Sequence, residues 1–354
     1  MRTRPGGTLS QPGEPARDAL DTLAMSDSYP AIVVASEGAK GTLQELSDAD
    51  LPEGDVTVDV SYSSLNYKDG LAVTGRGKII RQYPMVCGVD LAGTVRSSDA
   101  PQWGPGDEVV CTGWGLSETH PGGFTRRQRV RSQWLVPRPA ELSLKEAMAV
   151  GTAGLTAMLC VLALEHRGLN SETEGEVLVT GAGGGVGSVA VAILARLGYR
   201  VAASTGRPDS ESYLRSLGAA TIVDRAELAT SSGRPLEKER WAAAIDTVGG
   251  ETLATALRQT RYRGAVAACG MAGGSDLPLT VWPFILRNIA LLGVDSVLCP
   301  HVVRAKAWQR LGRDLETGVL DTMTTIEPLA NIPDLANAIL AGQTRGRVVI
   351  DTSA

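Results

Sequence analysis

The sequence predicts an α/β protein of two domains, one built of short β-strands and one built on a doubly wound parallel sheet. Over residues 31–136, turn residues separate short β-branched runs, a pattern typical of a small barrel or sandwich. Over residues 175–270, apolar strands alternate with helical stretches, which predicts a parallel sheet with helices on both faces. The length of 354 residues is sufficient for two such cores.

Composition narrows the class of protein. The chain has 43% hydrophobic and 21% charged residues, which is ordinary for a soluble globular protein. Its net charge of −5, without a basic block, argues against a nucleic-acid partner. We expect no apolar run of the roughly 20 residues needed to cross a bilayer, so no membrane partner is expected.

Cysteine and histidine usage bears on metals and disulfides. The five cysteines form no C-x-x-C pair and are odd in number, and the three histidines are far apart in the sequence. These features argue against a disulfide framework, a structural zinc lobe and a catalytic metal. We therefore expect no metal site.

The first 28 residues are rich in Pro, Gly and charge, and we predict a disordered N-terminal extension there. Met25 is a second candidate for the natural start, because the strand-like run "AIVVAS" begins at Ala31. The extension has no apolar core of the signal-peptide type. A cytoplasmic location is therefore expected.

The strand domain is predicted to comprise residues 29–150 and 300–354. Its last part includes "GRVVIDT", which we interpret as a strand that returns to this domain. Ser143 precedes Glu146 by three residues, a spacing typical of a capping box that opens a helix. The cofactor domain is predicted over residues 151–299.

Strand and helix alternate through that second domain. "GEVLVTG" predicts a strand, and "GSVAVAILARLG" predicts a helix that ends at Gly198. "YRVAAST" predicts a second strand, and the helix after it ends at Gly218. The runs "TIVD", "AAAIDTVG", "ATALRQT" and "GAVAACG" continue the alternation.

The stretch "LVTGAGGGVGSVA" joins the first strand of this series to its helix. Gly181, Gly184 and Gly187 stand at three-residue spacing, as a dinucleotide pyrophosphate requires for a tight turn, a close backbone approach and helix packing. A glycine-rich turn without a ligand is the alternative. The predicted phosphate-binding loop consists of Gly181, Gly183, Gly184, Gly185, Val186 and Gly187.

The end of the second strand indicates which dinucleotide binds. An NAD site usually has an acidic residue there, whereas this chain has Thr205, Gly206 and Arg207. Arg225 follows the third strand and is expected to reach the same region, where a 2′-phosphate needs cationic donors. We therefore predict NADPH, with a solvated surface role for Arg207 as the alternative.

Several segments occur in order and together carry a resemblance to a known family. The chain resembles, over about residues 30–350, the acryloyl-CoA reductase branch of the zinc-free, quinone-oxidoreductase-like medium-chain dehydrogenase/reductase superfamily. NYKD and PFILRN are the most specific segments, whereas the glycine loop is shared more widely. The segments include "SSLNYKDGLAVTGRGKIIRQYPMVCGVDLAGTV", "TGWG", "VGTAGLTAMLCVLAL", "VTGAGGGVGS", "AAIDTVGG", "VAACGMAGG", "LPLTVWPFILRNIALLGVDSV" and "AWQRL".

The resemblance implies a chaperonin-10-like β-barrel catalytic domain plus a Rossmann cofactor domain, with the nicotinamide in the cleft between them. It implies NADPH-dependent reduction of a double bond conjugated to an acyl-CoA thioester, with hydride delivered to the β-carbon and a proton to the α-carbon. It also implies a zinc-free homodimer joined at the edge strand "IALLGVDSV". Cys87 replaces a proline usual in relatives and is expected near the cleft.

The segment NYKD supplies the catalytic candidates. Asn66 offers an amide donor, Tyr67 a phenol for the nicotinamide or for proton donation, and Asp69 a group that orients Lys68 or binds a ribose hydroxyl. The alternative is a helix N-cap formed by Asn66 or Asp69. Met271, after the strand "VAACG", is expected to approach the nicotinamide.

Basic residues are the candidates for the phosphates of coenzyme A. We expect Lys78 and Arg81 to contact the substrate, and Trp114 to line its pocket, although packing is the alternative for the indole. Further candidates are Arg76, Arg287 and Arg304. Two other functions stay open: an NADPH:quinone oxidoreductase, and an NADPH-binding structural or regulatory protein.

Overall fold

The computed structural model describes residues 28–354, and residues 1–27 lie outside the described part. The predicted N-terminal extension, except for its last residue, Ser28, therefore lies outside the described residues. So does Met25, the candidate for the natural start. The predicted two-part α/β architecture is confirmed: one part consists of antiparallel and mixed sheets, the other of a six-stranded parallel sheet.

The elements are numbered along the chain. The strands are β1 (Tyr29–Val34), β2 (Thr42–Leu46), β3 (Val56–Leu65), β4 (Met85–Val86), β5 (Asp90–Ser98), β6 (Glu108–Thr112), β7 (Arg127–Val130), β8 (Val136–Pro137), β9 (Glu176–Val179), β10 (Arg200–Thr205), β11 (Ala219–Asp224), β12 (Trp241–Asp246), β13 (Thr260–Ala268), β14 (Ala290–Gly293), β15 (Thr324–Pro328) and β16 (Arg347–Asp351). The helices are α1 (Tyr67–Thr74), α2 (Leu144–His166), α3 (Gly185–Arg196), α4 (Glu211–Ser216), α5 (Arg225–Ala229), α6 (Gly250–Gln259), α7 (Trp282–Arg287), α8 (His301–Asp314), α9 (Thr317–Met323) and α10 (Ile332–Leu340).

The strand domain is a barrel-like pair of sheets. The larger has the order β15-β16-β3-β5-β6-β8, with β7 also paired to β3, and the smaller has the order β2-β1-β4. Alternate valines of β3 (Val56, Val58 and Val60) are buried, as the period of a half-buried strand requires. The predicted return of the C-terminus is confirmed, because β16 pairs antiparallel with β3, with Val348 opposite Leu65.

Helix α2 connects the two parts. It begins at Leu144 with the predicted capping box, in which the Ser143 amide donates to Glu146 Oε2 at 2.7 Å and the Glu146 amide donates to Ser143 Oγ at 3.2 Å. Gly151 breaks the helix with φ +50° and ψ −157°. The second half then packs against α3 and α8.

By length and composition, α2 is apolar enough to cross a bilayer, so the expectation that the chain holds no such run is wrong. The most apolar 18-residue window of this helix is 83% buried inside the structure. Its hydrophobicity is that of a core helix between the two sheets.

The parallel sheet has the order β11-β10-β9-β12-β13-β14. Counted from β9, this is the 3-2-1-4-5-6 order of a dinucleotide-binding sheet, which changes direction between β9 and β12. The predicted helix ends are confirmed, because Gly198 and Gly218 follow α3 and α4 with positive φ. The predicted cofactor crevice therefore lies at the carboxyl ends of β9 and β12.

The last 50 residues contact both parts of the molecule. Helix α8 packs on α2, α10 packs on α1, and β16 enters the sheet of the strand domain. The domain boundaries at residues 150 and 300 remain predictions from the sequence.

Candidate active site

The loops after β9, β12 and β13 meet at one edge of the parallel sheet. The Thr247 hydroxyl, after β12, donates to the Thr180 carbonyl at 3.0 Å, after β9. The Gly273 amide, after β13, donates to the Val248 carbonyl at 2.8 Å. This edge is the crevice in which open α/β sheets bind their ligands.

The glycine-rich loop has the geometry that its spacing predicts. Gly181 turns with φ +58°, and Gly184 is the exposed N-cap of α3. A Cβ on Gly187 would lie 2.6 Å from the Ala182 Cα, so only glycine lets the helix pack on the turn. The amides at the N-terminus of α3 lack helical partners, which makes this end suited to an anion.

Space beside the loop is consistent with a bound pyrophosphate. A Cβ on Gly184 would meet only the Gly181 carbonyl, at 3.3 Å, and one on Gly183 only the Ser210 hydroxyl, at 3.8 Å. Gly185 and Val186 form the first turn of α3. The cradle is therefore open on the side where the predicted ligand would approach.

The end of β10 brings together the residues predicted for the 2′-phosphate. The Arg207 amide donates to Thr205 Oγ1 at 3.1 Å. The guanidinium of Arg225 lies against Gly206, because a Cβ there would be 2.7 Å from the Arg225 Cζ. Asp209 is exposed in the following 3-10 turn. Two cations thus flank the position at which an NAD site carries a carboxylate.

The C-terminal segment 342–347 also contributes to this region, and the sequence reasoning missed it. The Arg207 guanidinium donates to the Gly342 carbonyl, and the Gly346 amide donates to the Gly183 carbonyl at 3.2 Å. The Arg345 guanidinium lies 4.8 Å from the centre of the Tyr213 ring. The signal that could have found it is "TRGR", whose last residue begins the last strand and whose Gly346 has φ +65°.

The segment NYKD opens α1, with Asn66 as its N-cap. Tyr67 is the first helical residue, and 50% of it is exposed. Lys68 pairs with Glu118 at 2.7 Å. Of the catalytic candidates, Tyr67 is the one whose side chain faces open space.

Asp69 requires a correction, because it is fully buried and caps α1. Its Oδ2 accepts the Asn66 amide at 2.8 Å, and its Oδ1 accepts the Val89 amide at 2.9 Å. Burial and the neighbouring Asp90 raise the pKa of this carboxyl to about 7, against the opposing effect of the bonds from Asn66 and Val89. Lys68 pairs with Glu118 instead, so the structure supports the cap interpretation of Asp69.

Asn66 also has a different role from the predicted one. Its Nδ2 donates to Asp90 Oδ2 at 2.9 Å, and its Oδ1 accepts from Arg347 Nη1 at 3.3 Å. Both ends of the amide are therefore used inside the protein. Asn66 holds the start of α1 in place, which leaves no amide donor for an enolate.

The substrate candidates divide into two groups. Lys78 and Arg81, like Arg76, are exposed on the segment after α1, where they are accessible to an anionic ligand. Trp114 packs on the barrel core under the guanidinium of Arg304, 4.8 Å from its ring centre. The indole thus has the alternative, packing role, and nothing in the structure assigns it to substrate.

Two of the further arginine candidates are structural. Arg304 is fully buried and donates to the carbonyls of Thr112, Ser296 and Val297. Arg287 donates to the main chain of residues 237, 258 and 260. Neither guanidinium is available to coenzyme A.

Met271 and Cys87 differ in exposure. Met271 is 71% exposed on the loop after β13, beside the predicted crevice. Cys87 lies in the core of the strand domain, where burial raises the pKa of its thiol to about 12. Contrary to expectation, Cys87 faces the interior and not a cleft.

Within residues 28–354, no group of three His, Cys, Asp or Glu side chains is arranged to hold a metal ion. The five cysteines are free thiols. The zinc-free site stays a prediction.

Comparison with known proteins bears on both domains. A family model described as "Alcohol dehydrogenase GroES-like domain" matches residues 52–140, and one described as "Zinc-binding dehydrogenase" matches residues 185–312. GroES is chaperonin-10, so the predicted pairing of a chaperonin-10-like domain with a Rossmann domain is confirmed.

Three curated relatives align over most of the chain. The Escherichia coli "Probable acrylyl-CoA reductase AcuI" is 54% identical over 87% of this chain and 94% of its own length. The "Acrylyl-CoA reductase AcuI" of Ruegeria pomeroyi is 52% identical over 92% and 100%. Bacillus subtilis YhfP, named provisionally as a quinone oxidoreductase, is 46% identical over 87% and 93%.

Two solved structures superpose closely. The Salmonella enterica yhdH oxidoreductase in complex with NADP has a TM-score of 0.89 at 53% identity, covering 91% of this chain and 99% of that one. Bacillus subtilis yhfP with NAD bound has a TM-score of 0.89 at 43% identity, covering 92% and 100%.

Proposed function

Because the chain belongs to the acrylyl-CoA reductase branch of the medium-chain dehydrogenase/reductase superfamily, we propose that it reduces acryloyl-CoA to propanoyl-CoA with NADPH. The single observation that carries the proposal is the identity of 52% with the acrylyl-CoA reductase of Ruegeria pomeroyi over that protein's whole length. The Salmonella relative with NADP supports the cofactor.

The residues present fit NADPH. The glycine-rich loop and the N-terminus of α3 would hold the pyrophosphate. Arg207 and Arg225 would hold the 2′-phosphate, next to Thr205 at the end of β10. Bound there, NADPH supplies the hydride. Two cations near the end of β10, where Thr205 stands in place of an acidic residue, favour the phosphorylated dinucleotide over NAD.

The protein's own contribution is positioning. Tyr67 extends from the start of α1 with its phenol accessible, and we assign it to the nicotinamide or to proton transfer at the substrate. The main chain of Met271 is assigned to the opposite side of the nicotinamide site. Lys78 and Arg81 are assigned to the phosphates of the acyl-CoA, because they are exposed and cationic.

The assembly proposed is a homodimer joined at β14. Among residues 28–354 this strand pairs with β13 alone, so its other edge is open. Side chains around it are apolar and more than half exposed: Val281, Trp282, Ile285, Leu286, Leu298 and Val302. An open strand edge beside an apolar patch is suited to a two-fold partner.

A cytoplasmic location is part of the same proposal. The free thiols of the described chain are typical of a protein kept in a reducing compartment. Neither a membrane nor nucleic acid is proposed as a partner.

A kinetic panel tests the function. Acryloyl-CoA and 1,4-benzoquinone are each offered with NADPH and with NADH, and kcat/KM is measured for the four pairs. We expect the acryloyl-CoA and NADPH pair to exceed either quinone pair by roughly a hundredfold, since a CoA site adds binding energy that a quinone cannot use.

The similarity to YhfP favours one second candidate, the quinone reductase. A kcat/KM for quinone equal to or above that for acryloyl-CoA would establish it in place of the first. The absence of turnover with all four pairs would favour the non-enzymatic hypothesis.

A further inference from the structure

Two oppositely charged side chains are buried where the strand domain meets the parallel-sheet domain. Asp90, at the start of β5, is 0% exposed, and Arg347, at the start of β16, is 2% exposed. Removing such charges from water costs several kcal/mol for each ion, so they persist only where hydrogen bonds satisfy them. What those hydrogen bonds hold indicates what the pair does.

Asp90 binds two segments. Its Oδ2 accepts the Ser64 hydroxyl at 2.5 Å, the Asn66 amide group at 2.9 Å and the Thr152 main-chain amide at 2.9 Å. Its Oδ1 accepts the Thr152 hydroxyl at 2.5 Å. Ser64 and Asn66 precede α1, whereas Thr152 begins the second half of α2. One carboxylate therefore joins the start of α1 to the helix that enters the other domain.

Arg347 binds the same segments from the opposite side. Its Nε donates to the Ala149 carbonyl at 2.8 Å, its Nη2 to Ser64 Oγ at 2.9 Å and its Nη1 to Asn66 Oδ1 at 3.3 Å. A Cβ on Gly185 would lie 3.0 Å from Nη1. The guanidinium thus reaches from Asn66 to the first turn of α3, where the glycine-rich loop ends.

The break in α2 makes room for this network. A Cβ on Gly151 would lie 2.5 Å from Ser64 Oγ, 2.7 Å from Asp90 Oδ2 and 2.8 Å from Arg347 Nη2. Only glycine fits there, and it also supplies the positive φ that ends the first half of the helix. The backbone is therefore shaped around Ser64, Asp90 and Arg347.

We propose that Asp90 and Arg347 are positioning residues of the reaction, which fix Asn66, and through it Tyr67, relative to the glycine-rich loop that anchors the cofactor. The inference rests on the proposed function, because it assigns Tyr67 and the loop to one reaction. Hydride transfer depends steeply on the placement of the two reactants, and a misplacement of about 1 Å can cost roughly a hundredfold in rate. A rigid connection between the start of α1 and the glycine-rich loop is therefore required.

Arg347→Lys is the main test variant. Lysine keeps the charge beside Asp90 but cannot donate in three fixed directions at once. We expect kcat to fall by roughly a hundredfold, while KM for NADPH changes by less than about threefold. With NADPH deuterated at the transferred hydrogen, the isotope effect on kcat should rise, since hydride transfer becomes the slow step.

Arg258→Lys is the matched control. Arg258 is also a buried arginine whose guanidinium donates in fixed directions, in its case to Glu251 Oε1 and the Pro278 carbonyl, but it has no contact with the network. It should lower the melting temperature about as much as Arg347→Lys and leave kcat and its isotope effect unchanged. Ser64→Ala, an uncharged second variant, removes the hydroxyl shared by both ions and should lower kcat by roughly tenfold.

Two outcomes would overturn the inference. One is a folded Arg347→Lys or Ser64→Ala protein whose kcat stays within twofold of the parent. The other is a lowered kcat with an unchanged isotope effect, matched by the Arg258→Lys control, which would make the pair merely structural. Failure of the proposed function is distinct: the parent would then not reduce acryloyl-CoA, and the same variants are assayed with the acceptor that it does reduce.

Discussion

The glycine-rich loop and the start of α1 form the two walls of the candidate site, and they are built in different ways. The loop is contiguous: a strand, a turn and a helix lie within about twenty residues, and the three spaced glycines shape it locally. The start of α1 depends on residues 64, 66, 90, 152 and 347, brought together from distant segments. The first wall is defined by the backbone, the second by buried side chains.

This difference determines what a substitution does on each wall. In the loop, an added methyl group meets main chain closely at Gly187 but only one carbonyl oxygen, at 3.3 Å, at Gly184, so the outcome depends on which glycine changes. At the start of α1, a change at the buried residues 64, 69 or 90 meets charges that are out of reach of water, so electrostatics dominates there. Three predictions use this contrast.

The largest effect is expected for Gly187→Ala. The added Cβ would meet the Ala182 Cα at 2.6 Å and the Gly181 carbonyl still closer. Because both are main-chain atoms, the helix must move away from the turn, and the free energy of unfolding should fall by about 3 kcal/mol. Urea denaturation measures this loss, and NADPH binding should be lost with it.

Gly184→Ala is the companion variant in the same loop. Its Cβ would meet only the Gly181 carbonyl, at 3.3 Å, so the free energy of unfolding should change by less than about 1 kcal/mol. Affinity for NADPH should nevertheless fall, since the methyl group occupies the side open to the pyrophosphate. Equal loss of stability in the two variants would show that the loop is not divided between a packing glycine and a binding glycine.

The same contrast explains which parts the sequence predicted. The parallel sheet, the capping box at Ser143, the helix ends at Gly198 and Gly218, and the geometry of Gly181 and Gly187 all rest on neighbours in the chain. Such features are readable because residue type and local backbone determine each other. The cationic end of β10 was readable for the same reason.

The roles of Asn66 and Asp69 were not readable. Both carry groups suited to catalysis, and only the tertiary structure shows that Asp90, Val89 and Arg347 use those groups internally. The burial of Cys87 likewise depends on packing that no local pattern encodes. The role of Arg347 was not readable either, because its partners lie more than 190 residues away in the chain.

The second prediction concerns the buried carboxyl of Asp69. Its pKa is raised from 3.8 to about 7, chiefly by burial and then by Asp90. Between these two values the folded protein binds a proton that the unfolded chain does not, so stability falls as pH rises toward 7 and the loss is constant above it. From pH 5 to pH 8 the stability of the parent should therefore drop by roughly 2 to 3 kcal/mol relative to Asp69→Asn.

Asp50→Asn provides the matched control for this pH effect. Asp50 accepts the Ser47 amide at 2.8 Å with the same three-residue spacing and the same distance as Asp69 with Asn66, but it is exposed. Denaturation curves at several pH values should show no such slope between the parent and Asp50→Asn. A flat difference for Asp69→Asn as well would mean that the carboxyl at α1 ionises as it does in water.

The smallest effect is expected for Arg207→Ala, at the exposed end of β10. Its guanidinium also bonds to the Gly342 carbonyl and is screened by solvent, so a 2′-phosphate contact there is worth roughly tenfold in affinity, about 1.4 kcal/mol. The dissociation constant for NADPH should rise by that factor while the constant for NADH is unchanged, as measured by quenching of protein fluorescence. Arg215→Ala removes another exposed cation, which pairs with Glu211, and should alter neither constant. An equal loss for both dinucleotides in Arg207→Ala would place the arginine on the shared part of the cofactor, leaving Arg225 to distinguish the phosphate. A large preference for NADPH that persists in both variants would mean that the contiguous wall does not set cofactor choice by charge.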